Sequence, residues 1–226
     1  GEQLHNVLLG TYSGLSFVVG MYLLATGGRL TSQDALLCHR PTPTGLYAAV
    51  CYFFYLSKVW EVRVQRDLDS LLSLAQSISH LFHASLQLQF VDTFLLILKK
   101  KPIIMLHRFH HLTTLPLTWI GIDGNFSYEP CTIMPNLFVH TCMYFYYAFP
   151  GPMRFMRQSI TTIQIVQFFF VLGVQLYWFY SFNTPNPCDG DWQLGVVGMG
   201  VYSMYLVLFL NFYWRQYFYS SKTKAS

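Results

Sequence analysis

Three histidines within five residues are the part of this sequence best suited to chemistry. His107, His110 and His111 share one face of a helix, because positions i, i+3 and i+4 lie side by side. A buried imidazole needs a polar partner, so three of them in an apolar segment indicate a functional site. Their rings could bind a metal such as Fe or Zn. Alternatively, one ring could act as a nucleophile or base in acyl transfer.

A second polar stripe occurs in the apolar segment 133–149. Asn136, His140 and Tyr144 follow one another at intervals of four residues, and Tyr147 comes three residues later. All four therefore lie on one helical face. If that face is turned toward the interior of a bundle, it predicts one wall of an active site. The alternative is a set of hydrogen bonds that only joins neighbouring helices.

Two further polar groups flank these stripes. Gln164 and Gln167 lie in the next apolar segment, where their amides could bind a substrate's polar head or a neighbouring helix. Lys58, Glu61 and Asp92 also lie in or beside apolar sequence. Charges inside a membrane need partners, so we expect these three to pair with one another.

The composition indicates that a membrane protein carries these residues. The chain is 53% hydrophobic and 18% aromatic, and only 11% of its residues are charged. A soluble domain carries roughly 25% charge, so this chain has too little polar surface to cover a water-exposed globule. We therefore predict a single integral membrane domain over residues 1–226. The net charge of +4 is modest and unclustered, so no nucleic-acid partner is expected.

The apolar stretches predict an all-α fold. Segments of about 20 apolar residues can cross a bilayer as helices, and Pro and Gly punctuate the connections between them. The prediction is a helical bundle of six visible spans, at residues 7–25, 45 to about 61, 103–122, 133–149, 160–182 and 194–217.

Charge and cysteine positions predict the orientation of the bundle. If the spans alternate from a cytosolic N-terminus, most Lys and Arg outside residues 62–89 fall at the cytosolic side, which also holds the C-terminus. Cys38, Cys131 and Cys188 then lie on the opposite, oxidising side. We favour a Cys38–Cys188 disulfide, and free buried thiols are the alternative.

Four motifs in a fixed order resemble those of the very-long-chain fatty acid elongases, the ELO family of 3-ketoacyl-CoA synthases. H-x-x-H-H by itself is also found in membrane desaturases and hydroxylases, so the resemblance depends on the whole set. The four motifs in this chain are K-x-x-E-x-x-D-T with a basic run (Lys58, Glu61, Asp92, Thr93, Lys99–Lys101, read without residues 62–89), H-x-x-H-H (His107, His110, His111), N-x-x-x-H-x-x-M-Y-x-Y-Y (Asn136, His140, Met143, Tyr144, Tyr146, Tyr147) and T-x-x-Q-x-x-Q-F (Thr161, Gln164, Gln167, Phe168).

The resemblance implies an architecture and a set of residue roles. It implies seven transmembrane helices around an acyl tunnel, the first of them missing from this chain. His110 would be the acylated nucleophile, and His140 would lie opposite it. The other residues implied in catalysis are His107, His111, Asn136, Asp92, Glu61 and Lys58, and those implied in substrate binding are Tyr144, Tyr147, Gln164, Gln167, Lys99, Lys100 and Lys101.

The resemblance also implies the reaction and its setting. Long-chain acyl-CoA and malonyl-CoA would condense to 3-ketoacyl-CoA, CO2 and CoA, with no metal or other cofactor. The expected location is the endoplasmic reticulum membrane, where lysines at 222 and 224 resemble a cytosolic dilysine retrieval tail. Membrane lipid surrounds the chain, and other elongation-cycle enzymes or a second copy of the chain remain open as partners.

Two alternatives and one anomaly remain open. A membrane di-iron desaturase or hydroxylase is disfavoured, because those enzymes resemble this chain in H-x-x-H-H but need more histidines. A non-enzymatic transporter would also contain buried polar stripes.

The anomaly is the segment 62–89, which interrupts the first motif. Its codons can form splice signals, so we interpret it as a retained intron, and a genuine insertion with an amphipathic helix is the alternative.

Overall fold

The computed structural model of the chain describes residues 2–32, 36–38, 100, 102 and 104–219. The predicted span 45–61, the segment 62–89 and the tail 220–226 lie outside these residues. The described part is helical and contains no strand. Its elements are α1 (Glu2–Thr26), α2 (Met105–Asp123), α3 (Glu129–Ala148), a 3-10 turn (Arg154–Met156), α4 (Arg157–Ser181), α5 (Trp192–Tyr213) and a π-helical turn (Trp214–Tyr219).

The five helices coincide with five of the six predicted spans, with shifts at their ends. α3 begins four residues earlier than predicted, at Glu129. Pro130 suits the first turn of a helix because a missing N–H is harmless there, and Glu129 favours the positive end of the helix dipole. α5 begins with Asp191 as its cap, whose carboxylate accepts a hydrogen bond from the Leu194 N–H at 2.9 Å.

Three of the helical segments are long and apolar enough to cross a membrane: Gln3–Thr26, Arg154–Ser181 and Trp192–Phe218. α2 and α3 are less apolar overall because they carry the histidines and the polar stripe. Large apolar side chains such as Leu15 and Phe169 are exposed on the bundle surface. A water-soluble monomer rarely exposes so much apolar surface, and lipid contact accounts for it. The fold is therefore that of a multi-pass membrane protein.

Small residues allow α1 to lie close against α3. A Cβ atom on Gly10 would lie 3.2 Å from the ring of Phe145, and one on Gly14 would lie 3.2 Å from the methyl group of Thr141. Two glycines one turn apart bring helix backbones together, which maximises van der Waals contact in lipid. α1 ends at Thr26, and Gly28 just beyond it has a φ of 70°, the left-handed conformation common after a helix.

Three connections meet at one end of the bundle, which we call the disulfide end (residues 36–38, 124–128 and 182–191). Cys38 and Cys188, the predicted pair, are bonded there. The Asp189 carbonyl accepts hydrogen bonds from the Ser127 N–H at 3.1 Å and from the Trp178 indole at 3.0 Å. Trp178 is completely buried, so the three connections share one core.

The opposite end of the bundle, the basic end (residues 150–158 and 213–219), is held by tyrosine hydroxyls. Tyr217 donates to the Arg157 carbonyl at 3.1 Å, and Gln158 donates to the Tyr213 hydroxyl at 2.9 Å. Arg154 and Arg215 are exposed at this end. α1, α2 and α4 run toward the disulfide end, whereas α3 and α5 run away from it. This alternation is the one that the predicted topology requires.

Candidate active site

The three histidines of α2 form one group of contacting rings. The His107 and His111 rings are stacked with centroids 4.0 Å apart, and the His110 and His111 rings meet edge to face at 5.5 Å. All three side chains are half-buried. The i, i+3, i+4 spacing therefore produces the shared helical face that it predicts.

His140 approaches this group from α3. Its ring centroid lies 6.3 Å from that of His110 and 5.8 Å from that of Tyr144, which is buried. α3 runs antiparallel to α2, so the middle of α3, with His140, meets the first two turns of α2, with His107, His110 and His111. The two predicted walls thus face each other in the folded chain.

A third wall, contributed by Tyr205 of α5, was not found from the sequence. Tyr205 is 3% exposed, and its ring centroid lies 5.3 Å from that of His110. Its hydroxyl lies 2.8 Å from the Thr113 hydroxyl and 3.4 Å from that of Thr114. α5 is almost uniformly apolar, and one tyrosine among sixteen gives no periodic signal.

Thr114 connects Tyr205 to the histidine. Its hydroxyl oxygen lies 3.5 Å from His110 Nδ1, and the same hydroxyl donates to the His110 carbonyl at 2.5 Å. Thr113 donates in the same way to the Phe109 carbonyl at 2.6 Å. Threonines in helices often bond to the carbonyl one turn earlier, and here this arrangement fixes both hydroxyls beside His110.

The remaining residues predicted on α3 and α4 are spread along the bundle. Asn136 is half-buried one turn before His140, and Tyr147 is 50% exposed one turn beyond Tyr144. Gln164 lies 3.8 Å from the sulfur of Met143, while Gln167 is buried. The ring contacts that His140 and His110 make outside α2 include those with Tyr144 and Tyr205.

One buried polar side chain of α4, that of Gln175, joins the helix to a neighbouring element by a hydrogen bond. Gln175 lies on the same helix as Gln164 and Gln167, is 1% exposed and donates to the Tyr128 hydroxyl at 3.2 Å. Burial raises the pKa of Tyr128, and the hydrogen bond from Gln175 lowers it in part, so the phenol is neutral at physiological pH. At this position the glutamine joins two elements near the disulfide end.

The predicted charged residues are mostly outside the described part of the chain. Lys58, Glu61, Asp92, Lys99 and Lys101 lie there, so their pairing and their contacts with substrate stay predictions. Lys100 is exposed in a turn before α2. Within the described ranges, no group of three or more His, Cys, Asp or Glu side chains is placed to share a metal ion.

Comparisons with known proteins relate the chain to a family. Residues 68–225 match the model of the ELO family, described as the GNS1/SUR4 family. The match begins inside the segment 62–89. No solved structure matches the chain.

The relatives are fatty acid elongases by name. Fatty acid elongase A of Dictyostelium discoideum is 31% identical over 226 residues, which cover 97% of this chain and 73% of the relative. Fatty acid elongase sre1 of the same organism is 35% identical, covering 61% of this chain and 52% of the relative. Long chain fatty acid elongase 1 of Caenorhabditis elegans is 33% identical, covering 61% and 49%. This chain thus spans between about half and three quarters of their lengths.

Proposed function

Because this chain belongs to the ELO family, we propose that it catalyses the condensing step of fatty acid elongation. Long-chain acyl-CoA and malonyl-CoA give 3-ketoacyl-CoA, CO2 and free CoA in this reaction. The observation that carries the proposal is the approach of the His110 and His140 rings to 6.3 Å between two antiparallel helices. Membership of the family supports the substrate class, and the two facing imidazoles support the chemistry.

The first half-reaction is acyl transfer to His110. A ring nitrogen attacks the thioester carbonyl, the C–S bond breaks, and CoA leaves as the thiolate. An imidazole suits this step because it is a competent nucleophile near neutral pH and its acyl derivative remains activated. His140 on the facing helix donates a hydrogen bond to the developing oxyanion in this proposal, which is the usual way to lower such a barrier.

The second half-reaction forms the carbon–carbon bond. Malonyl-CoA loses CO2, and the enolate that remains attacks the acyl carbonyl on His110. The C–N bond then breaks, which releases 3-ketoacyl-CoA and regenerates the imidazole. His107, His111 and Asn136 orient the rings and stabilise the enolate, and Tyr144 and Gln164 contribute to the walls. The exposed arginines at the basic end, Arg154 and Arg157, attract CoA phosphates.

The test is histidine replacement in microsomes that contain the full chain. His110→Ala and His140→Ala should each reduce labelled malonyl-CoA incorporation by at least about 100-fold, since each removes a group at the reacting carbon. His5→Ala in α1 is the matched control and should retain normal activity. Extension that persists in both active-site variants would refute the catalytic assignment and favour a transporter.

A di-iron oxidase is the competing enzyme class, since desaturases and hydroxylases share H-x-x-H-H. Elemental analysis of purified protein separates the two proposals. Stoichiometric iron together with oxygen-dependent modification of acyl chains would establish the oxidase. Malonyl-CoA-dependent extension that is unchanged by an iron chelator would support the elongase.

We also propose that the protein acts in the endoplasmic reticulum membrane with its C-terminus in the cytosol. The family supports this location, as does the abundance of Lys and Arg at one end. The segment 62–89 is proposed to be a retained intron that interrupts Lys58, Glu61 and Asp92. Sequencing the cDNA tests this, because a mature transcript that encodes residues 62–89 would reject the proposal. The version without residues 62–89 should be the more active one in the microsomal assay.

A further inference from the structure

The arrangement of hydrogen atoms around His110 can be deduced from the donors and acceptors beside it. Each threonine hydroxyl has one hydrogen to donate. Thr114 gives its hydrogen to the His110 carbonyl at 2.5 Å, and Thr113 gives its hydrogen to the Phe109 carbonyl at 2.6 Å. Toward any other polar group, both hydroxyl oxygens can therefore only accept.

Because the two threonine oxygens can only accept, the Tyr205 hydroxyl and the His110 ring nitrogen beside them must be the donors. Tyr205 lies 2.8 Å from Thr113 and 3.4 Å from Thr114, so its O–H is shared between these two acceptors. His110 Nδ1 lies 3.5 Å from the Thr114 oxygen, so the hydrogen of this contact belongs to the ring nitrogen. The Nδ1–H tautomer has its lone pair on Nε2.

We propose that Thr114, supported by Tyr205, is a positioning residue that holds His110 as the Nδ1–H tautomer, so that Nε2 is the atom acylated. This inference rests on the proposed function, and it adds which atom reacts and what selects it. Tyr205 is held in turn by packing, since its ring lies 5.8 Å from that of Phe109 and 5.6 Å from that of Phe168. Thr114 and Tyr205 are both buried, so water competes little for these hydrogen bonds.

The arrangement has a consequence for the whole reaction cycle. Acylation of Nε2 while Nδ1 keeps its hydrogen gives an acyl-imidazolium and CoA thiolate. Thr114 is a neutral acceptor and not a base, so the hydrogen stays on Nδ1 and the acyl group stays strongly electrophilic. When the enolate attacks, Nε2 takes back the electron pair of the C–N bond and the imidazole becomes neutral again. No proton moves to or from Nδ1 during the cycle.

The first measurement is the tautomer itself, in detergent-solubilised full chain labelled with 15N-histidine. Protonated and unprotonated ring nitrogens have well-separated 15N shifts, and the His110 signals are those missing from the His110→Ala spectrum. We expect a protonated Nδ1 and an unprotonated Nε2. The opposite assignment would overturn the inference, whatever the catalytic assays show.

The second measurement is acyl-enzyme formation with acyl-CoA alone, followed by CoA release and by mass spectrometry of the His110 peptide. Thr114→Val keeps the shape but removes the acceptor, and we expect the acylation rate to fall about tenfold, the effect of losing one net hydrogen bond. Thr114→Ser should restore most of the rate. Tyr205→Phe should show a smaller loss of about threefold.

The control is Thr141→Val on α3. Thr141 also donates to a carbonyl one turn earlier, that of Leu137 at 2.7 Å, but it faces α1. The Thr141→Val variant should form acyl-His110 at the wild-type rate. If the wild-type chain acylates His110 and Thr114→Val does so equally fast, this inference fails and the proposed function stands. If the wild-type chain forms no acyl-His110 yet extends acyl chains, the histidine mechanism fails and this inference fails with it.

Discussion

At the scale of single residues, our inference about the site depends on which groups near His110 can donate a hydrogen bond. Thr113 and Thr114 would be unremarkable helix residues elsewhere, because a threonine that bonds to its own helix usually plays only a structural role. Beside the His110 ring, the bond from the Thr114 hydroxyl to the backbone uses its hydrogen, so the oxygen can only accept a hydrogen bond from the ring. On our inference, the tautomer of His110 is selected by Thr114, four positions along the same helix, and Tyr205 supports Thr114.

Glycine packing around Trp178 gives a prediction at this scale. Gly190 has a φ of 143°, and a Cβ atom there would lie 2.7 Å from the Trp178 ring and 2.9 Å from the Phe126 ring. Gly190→Ala should therefore destabilise the protein by roughly 2 kcal/mol or more, from backbone strain and overpacking together. Thermal unfolding in detergent measures this effect.

Gly173→Ala is the matched control for that experiment. Gly173 lies in the middle of α4, and a Cβ atom there meets no atom within 4 Å. The melting temperature should stay the same or rise slightly, because alanine favours a helix more than glycine does. Equal melting temperatures for Gly190→Ala and the wild-type chain would contradict the described packing.

At the scale of elements, α2 and α3, which carry the histidines of the candidate site, are each held by a neighbouring helix. α1 packs along α3 through Gly10 and Gly14, and α5 packs on α2 through the aromatic contacts of Tyr205. Without a hydrophobic driving force in lipid, such close packing is what fixes helix positions. The rotation of α3, and so the direction in which His140 points, depends on the α1 interface.

The α1–α3 interface gives a prediction at this scale. In Gly14→Ile, the new side chain must occupy space 3.2 Å from the Thr141 methyl group, so the helices must separate. We expect a destabilisation of about 1–3 kcal/mol and slower acyl-enzyme formation, because Thr141 is next to His140. Thermal unfolding and CoA release measure the two effects.

The control for this variant is its neighbour. Leu15 is 63% exposed on the outer side of α1, so Leu15→Ile should change neither stability nor acylation rate appreciably. Loss of stability in Leu15→Ile to the same extent as in Gly14→Ile would mean that the glycine face is not the interface.

At the scale of the whole molecule, the disulfide end joins connections that are far apart in sequence. The Cys38–Cys188 bond spans a sequence separation of 150 residues, and the Asp189 carbonyl links the same region to the connection between α2 and α3. Closing so long a loop restricts the unfolded chain strongly. The disulfide end therefore acts as a clamp on one end of the bundle.

The clamp gives a prediction for the whole molecule. Cys38→Ser, Cys188→Ser and the double variant should each lose the same stability, about 2–4 kcal/mol, because all three remove one bond. Reduction of the wild-type chain should lower its melting temperature by a similar amount. Cys142→Ser, which alters a free cysteine on α3, is the control and should unfold like the wild type. Additive losses in the double variant would argue against the bond.

The sequence by itself determined the features that depend on local periodicity. Helical spacing put His107, His110 and His111 on one face, and the lengths of the apolar segments located the five described α-helices. Both follow from the regular geometry of the α-helix. The ends shifted by a few residues, where Pro130 suits the first turn of α3 and the Asp191 side chain caps α5. The order of the motifs along the chain was enough to indicate the family, because motif order is a property of the sequence alone.

Only the tertiary structure decided which faces meet. Tyr205 lies 92 residues beyond Thr113 and has no periodic partner, so its place beside His110 depends on how α5 is rotated against α2. The same holds for Gln175, whose amide could have bound a substrate but bonds to Tyr128 instead. In lipid, rotation and tilt are set by close packing with neighbours. A sequence pattern gives the face of each helix, and the packed bundle selects the partner of that face.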